Sequence, residues 1–243
     1  MKKNIIVTGG SRGIGKGIVE ILAKQGHNII LNYNKSEEKA KIIKENLEKE
    51  KCNIEIFKAD VSNREEVKKL IEFSIKKLGT IDVLVNNAGI GQVKMFTEIT
   101  DEDWDNMIKN NLTSIFYTTQ EAIKNMISNK SGCIINISSI WGLIGGSCEV
   151  HYSASKAGID GMTKALAKEM GPSNIRINSI APGCTKTEML EDVSEEEFDQ
   201  IRKETPLNKI GKVEDIAKCV KWLVEDEFTT GQVISINGGW VIT

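Results

Sequence analysis

A tyrosine and a lysine stand four residues apart in the segment His151-Tyr152-Ser153-Ala154-Ser155-Lys156, where a helical pattern begins that continues to about Met170. Residues four apart share one face of a helix, so the Tyr152 phenol and the Lys156 ammonium can reach the same small volume. An unperturbed tyrosine has a pKa of about 10, and a nearby ammonium lowers it by roughly one to three units. The pair predicts a proton-transfer site, although the same spacing also occurs in helices where it serves packing alone.

Two further polar residues are expected near that pair. Ser139 follows the strand predicted at residues 133–138, and the carboxyl ends of strands form the ligand crevice of a doubly wound sheet. Asn111 falls on an apolar helical stripe, where a buried amide needs hydrogen-bond partners; the stripe comprises Trp104, Ile108, Ile115 and Ala122. Asn111 can take part in catalysis or brace the neighbouring strand. The sequence favours neither role over the other, and the two are compatible. His151 points off the Tyr152 face and is interpreted as structural.

A glycine-rich turn near the start of the chain can hold a pyrophosphate. The first predicted strand runs into Thr8-Gly9-Gly10-Ser11-Arg12-Gly13-Ile14-Gly15, and the first helix begins within it. Glycines let the backbone approach a phosphate closely, and the free N–H groups of a helix start favour negative charge. The spacing differs from G-x-G-x-x-G, and the missing Lys-Ser/Thr ending excludes a P-loop. We expect Gly9, Gly13, Ile14 and Gly15 to bind a dinucleotide.

The end of the second predicted strand bears on the choice of dinucleotide. NAD-selective folds carry an acid there that binds the adenosine 2′-hydroxyl. This chain reads Asn32-Tyr33-Asn34-Lys35, without an acid. Arg12 and Lys35 can face a 2′-phosphate, to which Ser11 and Asn34 can donate hydrogen bonds. The sequence therefore predicts NADPH over NADH; the alternative is that both cations are solvated surface charges, and Glu37-Glu38 lies close by.

Strand and helix patterns alternate along the whole chain without a linker, repeat or low-complexity tract, which predicts one domain over residues 1–243. The strand patterns are continuously apolar, as in strands buried on both faces of a parallel sheet. They cover residues 4–8, 28–32, 54–58, 81–85, 133–138, 175–180 and 233–236. The predicted fold class is α/β, a single Rossmann-type doubly wound domain with a seven-stranded parallel sheet and helices on both faces.

Composition excludes several classes of function. The 32 basic and 34 acidic side chains give a net charge of −2, which provides no positive field for nucleic acid or anionic membrane. No apolar run reaches the roughly 18 to 20 residues of a membrane span, and the N-terminal run is too short for a signal-peptide core. Five scattered cysteines and two histidines predict no metal site and a reducing, cytoplasmic setting.

Together these motifs resemble the short-chain dehydrogenase/reductase family along essentially the whole chain. The motifs are TGGSRGIG at 8–15, Asp60-Val61, NNAG at 86–89, Asn111-Leu112, Ser139, YSASK at 152–156, Pro182-Gly183 and Asn237-Gly238-Gly239. Within the family the chain is most similar to the 3-oxoacyl-[acyl-carrier-protein] reductases. That similarity lies in residues 177–183, Thr185-x-Thr187-x-Met189 and Thr230-Gly231-Gln232.

The resemblance implies a role for each residue of the predicted site. Tyr152 would protonate the alkoxide that forms as hydride arrives, and Ser139 would hydrogen-bond the substrate carbonyl. Lys156 would bind the nicotinamide ribose and lower the Tyr152 pKa, and Asn111 would anchor a water of a proton relay. The other implied cofactor positions are Asp60 and Val61 for adenine, Asn87, Ala88 and Gly89 for the adenosine ribose, Pro182, Gly183 and Thr185 for the nicotinamide, and Thr187 for the pyrophosphate or carboxamide.

The resemblance further implies NADPH-dependent reduction of a 3-oxoacyl thioester, on acyl carrier protein or CoA, in fatty acid synthesis by a homotetramer. Two alternatives stay open: a dehydrogenase of another secondary alcohol such as a sugar, polyol or steroid, and a catalytically silent dinucleotide-binding protein. Residues 184–210 would form a substrate lid with Met189, Leu190 and Phe198 inside, or else a solvated acidic helix. Where carrier-binding relatives have basic residues this chain has Lys130, Cys133 and Asn174, and Lys130, Lys209 and Lys212 are the substitutes.

Overall fold

A single parallel sheet organises the computed structural model, which describes residues 1–191 and 193–242. Its seven strands lie in the order β3-β2-β1-β4-β5-β6-β7. They are β1 Asn4–Val7, β2 Asn28–Tyr33, β3 Asn53–Lys58, β4 Val83–Asn86, β5 Gly132–Ile137, β6 Ile175–Pro182 and β7 Val233–Ile236. The prediction of a doubly wound, seven-stranded parallel sheet is confirmed, and every strand begins and ends within two residues of its predicted bounds.

Helices connect successive strands, and their ends follow the local sequence. They are α1 Gly13–Lys24, α2 Glu37–Lys49, α3 Arg64–Leu78, α4 Asp101–Ile108, α5 Ser114–Asn129, α6 Ile140–Ile144, α7 Val150–Met170, α8 Glu195–Glu204 and α9 Val213–Glu225. The Asn63 side chain accepts hydrogen bonds from the N–H groups of Glu65 and Glu66 at the start of α3. Gly26 and Gly79 have φ of +86° and +84°, the region in which a side chain is strained, so glycine suits the ends of α1 and α3.

Two apolar layers cover the sheet, because successive strand residues point to opposite faces. Val7 and Leu31 pack with α1, α2 and α9, whereas Ile6 and Ile30 pack with α3, α5 and α7. These side chains are almost fully buried. Since all strands run the same way, their polar carboxyl ends collect at one edge, which we call the crevice edge. None of the described helices is long and apolar enough to cross a membrane.

The connection between α4 and α5 differs from the predicted continuous stripe. Residues Lys109–Thr113 form a π-helical turn that contains Asn111. A π turn adds a residue to the helical repeat and rotates the helix before it relative to the helix after it. Ile115 is therefore buried as expected, whereas the Trp104 side chain, before the turn, is 40% exposed. Placing Trp104 on the same buried stripe was wrong.

Candidate active site

Four polar side chains from three elements meet near Gly89 at the crevice edge. A Cβ atom placed on Gly89 would lie 3.1 Å from Asn111 Oδ1 and 3.8 Å from Lys156 Nζ. The Lys156 Nζ atom lies 5.5 Å from the centroid of the Tyr152 ring, and the Ser139 hydroxyl is close enough to the Tyr152 phenol to influence its pKa. The structure thus brings together the residues that the sequence singled out, with α7 carrying Tyr152 and Lys156 on one face.

The Tyr152 phenol is held in its protonated form. Burial raises the pKa of Tyr152 to about 12, the Ser139 hydrogen bond opposes that rise, and the Glu149 carboxylate adds to it. The Tyr152 pKa is thus raised, not lowered as expected from Lys156, because burial has the largest effect. The Lys156 ammonium donates to the Ile137 carbonyl oxygen, at 2.9 Å, at the end of β5. A neutral phenol suits a proton donor.

Lys156 is itself poised to exchange a proton. The residue is 5% exposed, and burial lowers the pKa of Lys156 to about 8, with the Asp160 carboxylate opposing the effect. Asp160 lies one turn further along α7, where its Oδ1 atom accepts a hydrogen bond of 2.7 Å from Ser179 Oγ. Its Oδ2 atom is buried without a hydrogen-bond partner among the described residues, and burial raises the pKa of Asp160.

Asn111 braces the loop that follows β4. Its Oδ1 atom accepts from the Ile90 N–H at 2.8 Å, and its Nδ2 atom donates to the Ile90 carbonyl oxygen at 2.9 Å. The same Nδ2 atom reaches Ser155 Oγ at 3.2 Å, and that hydroxyl donates to the Tyr152 carbonyl oxygen at 2.7 Å. The bracing that the sequence suggested is present, and it ties the Gly89 loop to the helix of the catalytic candidates.

The glycine loop is folded so tightly that side chains would not fit. Gly9 and Gly13 have φ of +62° and +52°. A Cβ atom on Gly9 would approach the Ala88 Cα atom to 2.9 Å, and one on Gly15 would overlap the Gly9 carbonyl oxygen. Contacts of that kind leave room only for glycine. The loop is therefore a cradle of bare main chain at the start of α1, which suits a pyrophosphate.

Three polar residues hold this cradle: Asn87, which was predicted at the adenosine ribose, and Thr8 and Asn32, for which the sequence predicted no role of their own. Thr8 Oγ1 accepts from the N–H groups of Asn87 and Ala88 at 3.0 and 3.1 Å. Asn87 Nδ2 donates to the carbonyl oxygens of Thr8 and Gly9, and Asn32 Oδ1 accepts from the Gly9 N–H at 3.3 Å. Thr8 and Asn32 are buried. The available signal was a polar residue directly at the end of an otherwise apolar strand.

The residues predicted to meet the adenosine end lie around the same loop. Arg12, Asn34 and Lys35 are exposed, whereas Ser11 is buried. The two nearby acids, Glu37 and Glu38, form ion pairs with Lys41. The Lys41 Nζ atom lies 2.9 Å from a Glu37 carboxylate oxygen and 3.4 Å from a Glu38 carboxylate oxygen.

At the predicted adenine position, the Asp60 side chain accepts from the Ser62 N–H at 2.9 Å, while the Asp60 N–H donates to Glu66 Oε2 at 2.7 Å. Val61, beside it, is 9% exposed. The pair therefore forms a fixed turn just after β3, at the crevice edge.

The turn after β6 is held by the C-terminal segment. The Gly183 N–H donates to the Ile236 carbonyl oxygen at 2.9 Å, and a Cβ atom on Gly183 would lie 2.7 Å from Asn237 Cβ. Thr185 Oγ1 donates to the Gly183 carbonyl oxygen at 3.1 Å. The Thr187 side chain would lie 3.5 Å from a Cβ atom on Gly13. Pro182, Gly183, Thr185 and Thr187 therefore lead from the sheet to the glycine loop.

The segment predicted as a lid contains a short 3-10 turn, Glu188–Leu190, and helix α8. The segment itself encloses a cavity of about 340 Å³, lined by Lys186, Thr187, Leu190, Glu191, Val193, Glu195 and Phe198. Phe198 is buried, whereas Met189 is 53% exposed. The Met189 Sδ atom would lie 3.7 Å from a Cβ atom on Gly91, in the loop after β4, and its place on the inner face of the lid stays a prediction. Asp192 of the acidic run lies outside the described residues. Lys39 Nζ pairs with Glu188 Oε2 at 2.5 Å and fastens the turn to α2.

The positions matched to carrier-docking residues do not border this crevice. Cys133 is buried within β5. Asn174 Nδ2 donates to the Lys130 carbonyl oxygen. Asn174 directly precedes β6 and Lys130 lies two residues before β5, so both are at the end of the sheet opposite the crevice. Lys209 and Lys212 flank Gly211, whose N–H donates to the Cys184 carbonyl oxygen at the crevice edge. Of the three lysines expected to replace the carrier-docking residues, Lys209 and Lys212 therefore lie at the same end of the sheet as Tyr152.

Known proteins resemble this chain over nearly its whole length. Residues 3–198 match the family model described as short chain dehydrogenase. The chain is 38% identical over 241 residues to the 3-oxoacyl-[acyl-carrier-protein] reductase of Staphylococcus aureus, covering 98% of both proteins. The enzyme of the same name from Thermotoga maritima is 38% identical over 242 residues, with 99% of this chain and 98% of the relative covered. That of Buchnera aphidicola is 37% identical over 240 residues, covering 98% and 97%.

Proposed function

The chain belongs to the short-chain dehydrogenase family, and from that membership we propose that it is an NADPH-dependent reductase of 3-oxoacyl thioesters with Tyr152 as the proton donor. Membership makes it an oxidoreductase that acts on CH–OH groups with a nicotinamide dinucleotide. The relatives named for 3-oxoacyl reduction match it over nearly the whole length. The observation that carries the proposal is the meeting of Ser139, Tyr152, Lys156 and Asn111 at one point of the crevice edge.

The crevice fits the cofactor that the family uses. The main chain of Gly9, Gly13 and Gly15 at the start of α1 would hold the pyrophosphate. Cβ atoms on Gly9 and Gly15 would clash with the backbone of Ala88 and Gly9, so this main chain is kept free of side chains there. The turn after β6 would hold the nicotinamide end, beside Lys156. When bound, the reduced nicotinamide supplies a hydride to the substrate carbonyl carbon.

The chain's own residues handle the proton and the developing charge. The hydroxyls of Ser139 and Tyr152 face one volume, where they would donate hydrogen bonds to a carbonyl oxygen as it becomes an alkoxide. Tyr152, kept neutral by burial, then gives its proton to that oxygen. Lys156, with its pKa lowered to about 8, returns a proton to the tyrosinate. Asn111, beside Lys156 Nζ across Gly89, would anchor the water that connects this relay to solvent.

The preference for NADPH rests on the charges around the 2′-phosphate position. Arg12 and Lys35 are exposed there, and Glu37 and Glu38 are paired with Lys41, which limits their repulsion of a phosphate. Arg12→Ala should lower the ratio of kcat/KM for NADPH to that for NADH by about tenfold, since one charge-assisted hydrogen bond is lost. Lys16→Ala, an exposed lysine further along α1, is the matched control. Equal use of both dinucleotides by the wild type would refute the preference.

A thioester carried by acyl carrier protein would approach over Lys209 and Lys212, which lie beside the crevice and can meet an acidic carrier. Lys209→Glu combined with Lys212→Glu should raise KM for the carrier-bound substrate but not for acetoacetyl-CoA. Lys76→Glu, an exposed lysine at the end of α3, is the control. Wild-type turnover of sugars or steroids without turnover of either thioester would remove the 3-oxoacyl assignment and leave another secondary alcohol as substrate.

The active form would be a cytoplasmic homotetramer. An apolar hollow of about 170 Å³ lies between α5 and α7, lined by Phe116, Thr119, Gln120, Ile123, Met162, Leu166, Glu169 and Met170. Phe116 is 45% exposed in the single chain, so a second copy seated on this face would bury it. Sedimentation equilibrium should give four chains for the wild type and fewer for Phe116→Glu; a wild-type monomer would contradict the tetramer.

A further inference from the structure

A chain of hydrogen bonds fixes the N-terminal end of α7, immediately before Tyr152. His151 is fully buried, and its Nε2 atom lies 2.8 Å from Gln92 Oε1. Gln92 Nε2 donates to Asp103 Oδ1 at 2.8 Å, and Lys94 Nζ pairs with Asp103 Oδ2 at 2.6 Å. Asp103 also belongs to the capping box that starts α4, together with Thr100. These hydrogen bonds therefore connect the start of α7 to α4 through the loop after β4.

This arrangement determines where the His151 proton lies. The Asp103 pKa is held well below its usual range, chiefly by the Lys94 hydrogen bond, so its carboxylate can only accept. Gln92 must then donate to Asp103 through its amide nitrogen, which leaves its carbonyl oxygen to face His151. An oxygen can only accept, so His151 donates from Nε2 and carries a lone pair on Nδ1. The Nδ1 atom is buried without a partner among the described residues.

We propose that His151 is a positioning residue: as a neutral Nε2–H donor to Gln92, it sets the place of the Tyr152 phenol relative to the Gly89 loop. Its neighbour Tyr152 shares the first turn of α7, so a shift of that turn moves the phenol directly. The partner loop begins at Ile90, which Asn111 holds. A second tie joins the same loop to the turn before α7, because the Lys94 N–H donates to the Cys148 carbonyl oxygen at 2.7 Å.

The proposal predicts sensitivity to acid. Protonation adds an N–H at Nδ1, where no described acceptor lies, and burial lowers the pKa of His151; the facing Asp103 carboxylate opposes that shift and Lys94 adds to it. Because the folded-state pKa lies below that of free imidazole, the unfolded chain takes up the proton first. Stability is therefore lost as pH falls below about 6.5, the unfolded-state value, and is retained above it. Correct positioning is lost only as pH falls further, through the lower folded-state pKa of His151.

The tautomer can be measured without any substrate. The chain has only two histidines, and His27 accepts at Nδ1 from the Lys3 N–H at 3.1 Å, so it serves as an internal reference at the opposite edge. Nitrogen-15 spectra of full-length protein should show His151 as the neutral Nε2–H form at about pH 7. Gln92→Glu, which offers a carboxylate to Nε2, should raise the His151 pKa and leave that of His27 unchanged. An Nδ1–H tautomer, or an unmoved His151 pKa, would overturn the assignment.

The kinetic arm rests on the proposed function and separates positioning from packing. His151→Gln keeps a donor at about the reach of Nε2, whereas His151→Leu removes it. We expect His151→Leu to lower kcat for acetoacetyl-CoA about tenfold with little change in KM, the effect of one lost hydrogen bond. His151→Gln should keep most of kcat and lose the acid limb of the pH profile.

Should His151→Leu fail to fold, Gln92→Leu removes the acceptor from a partly exposed position and should give the same loss of kcat. His27→Leu is the matched control and should leave kcat unchanged. Wild-type kcat in the leucine variants, or an equal loss in His151→Gln and His151→Leu, would overturn the positioning role. If the wild type reduces no ketone, the proposed function fails while the spectra still test the hydrogen-bond chain.

Discussion

The two halves of the crevice edge are built by different means. The half formed by β1, β2 and β4 is built from main chain: Gly9 and Gly15 leave no room for a side chain, and Asn87 and Thr8 hold that main chain in place. The half formed by β5 and α7 is built from buried titratable side chains, and burial shifts the pKa values of Tyr152 and Lys156.

This difference determines where each half is vulnerable. A pyrophosphate is recognised by shape and by N–H groups, so the first half should tolerate no added atoms. Proton transfer needs groups whose pKa values differ from those in water, so the second half accepts the cost of burying polar atoms. A substitution in the first half should thus affect cofactor affinity, and one in the second half should affect kcat.

The largest expected effect is that of Tyr152→Phe. Removing the hydroxyl removes the proton donor, so kcat should fall roughly 1,000-fold, while the Kd for NADPH should change little. Tyr33→Phe, a buried tyrosine at the end of β2, is the control for loss of a hydroxyl elsewhere. Steady-state kinetics measure kcat and fluorescence titration measures the Kd. Full activity of Tyr152→Phe would contradict the assignment of proton transfer to the half formed by β5 and α7.

Gly15→Ala should produce the next effect, in the other half. The new methyl group would overlap the Gly9 carbonyl oxygen, so the cradle must deform and NADPH affinity should fall about 100-fold or more. Gly161→Ala is a matched control on α7, because nothing lies within 4 Å of its added Cβ atom. That control should keep wild-type affinity and gain up to about 1 kcal/mol of stability. Normal binding by Gly15→Ala would contradict the steric account of the loop.

A smaller effect is expected from Asn87→Leu, which keeps the backbone of the NNAG motif but removes the amide that donates to Thr8 and Gly9. Two carbonyl oxygens would lose a buried partner, at a cost of about 1 to 3 kcal/mol in the free energy of unfolding. NADPH affinity should weaken, with kcat at saturating cofactor nearly unchanged. Denaturant titration measures the stability of Asn87→Leu, and kinetics measure its NADPH affinity and kcat. A loss confined to kcat would contradict the assignment of Asn87 to the cofactor-binding half.

The smallest effect concerns Asp160, a buried acid behind Lys156. Because burial raises its folded-state pKa above the unfolded value, its contribution to stability is present at low pH and is lost as pH rises through the folded-state pKa. Asp160→Asn removes that dependence, so its free energy of unfolding should gain on the wild type as pH rises from about 4 to 8. Urea titrations across this range measure the free energy of unfolding of both proteins. If its dependence on pH is the same for the wild type and Asp160→Asn, the Asp160 carboxyl stays ionised when folded.

The sequence predicted the sheet and the proximity of Tyr152 and Lys156 because both depend on local patterns. Continuous apolar runs mark buried parallel strands, and the spacing of Tyr152 and Lys156 on α7 needs only a regular helix. The π turn at Asn111 could not be predicted, since an inserted residue leaves no mark in an apolar stripe. Nor could the Lys156 contact to Ile137 or the His151 chain, because they depend on how separate loops pack.

The most direct test of the proposed mechanism traces the hydride. The wild-type protein would be incubated with acetoacetyl-CoA and NADPH that carries deuterium at the transferred position, and the product would be analysed by mass spectrometry. The mechanism predicts 3-hydroxybutyryl-CoA with deuterium on C3, formed one-to-one with NADPH consumed, and almost none with Tyr152→Phe. Absence of deuterated product with the wild type, or its undiminished formation by Tyr152→Phe, would contradict the mechanism.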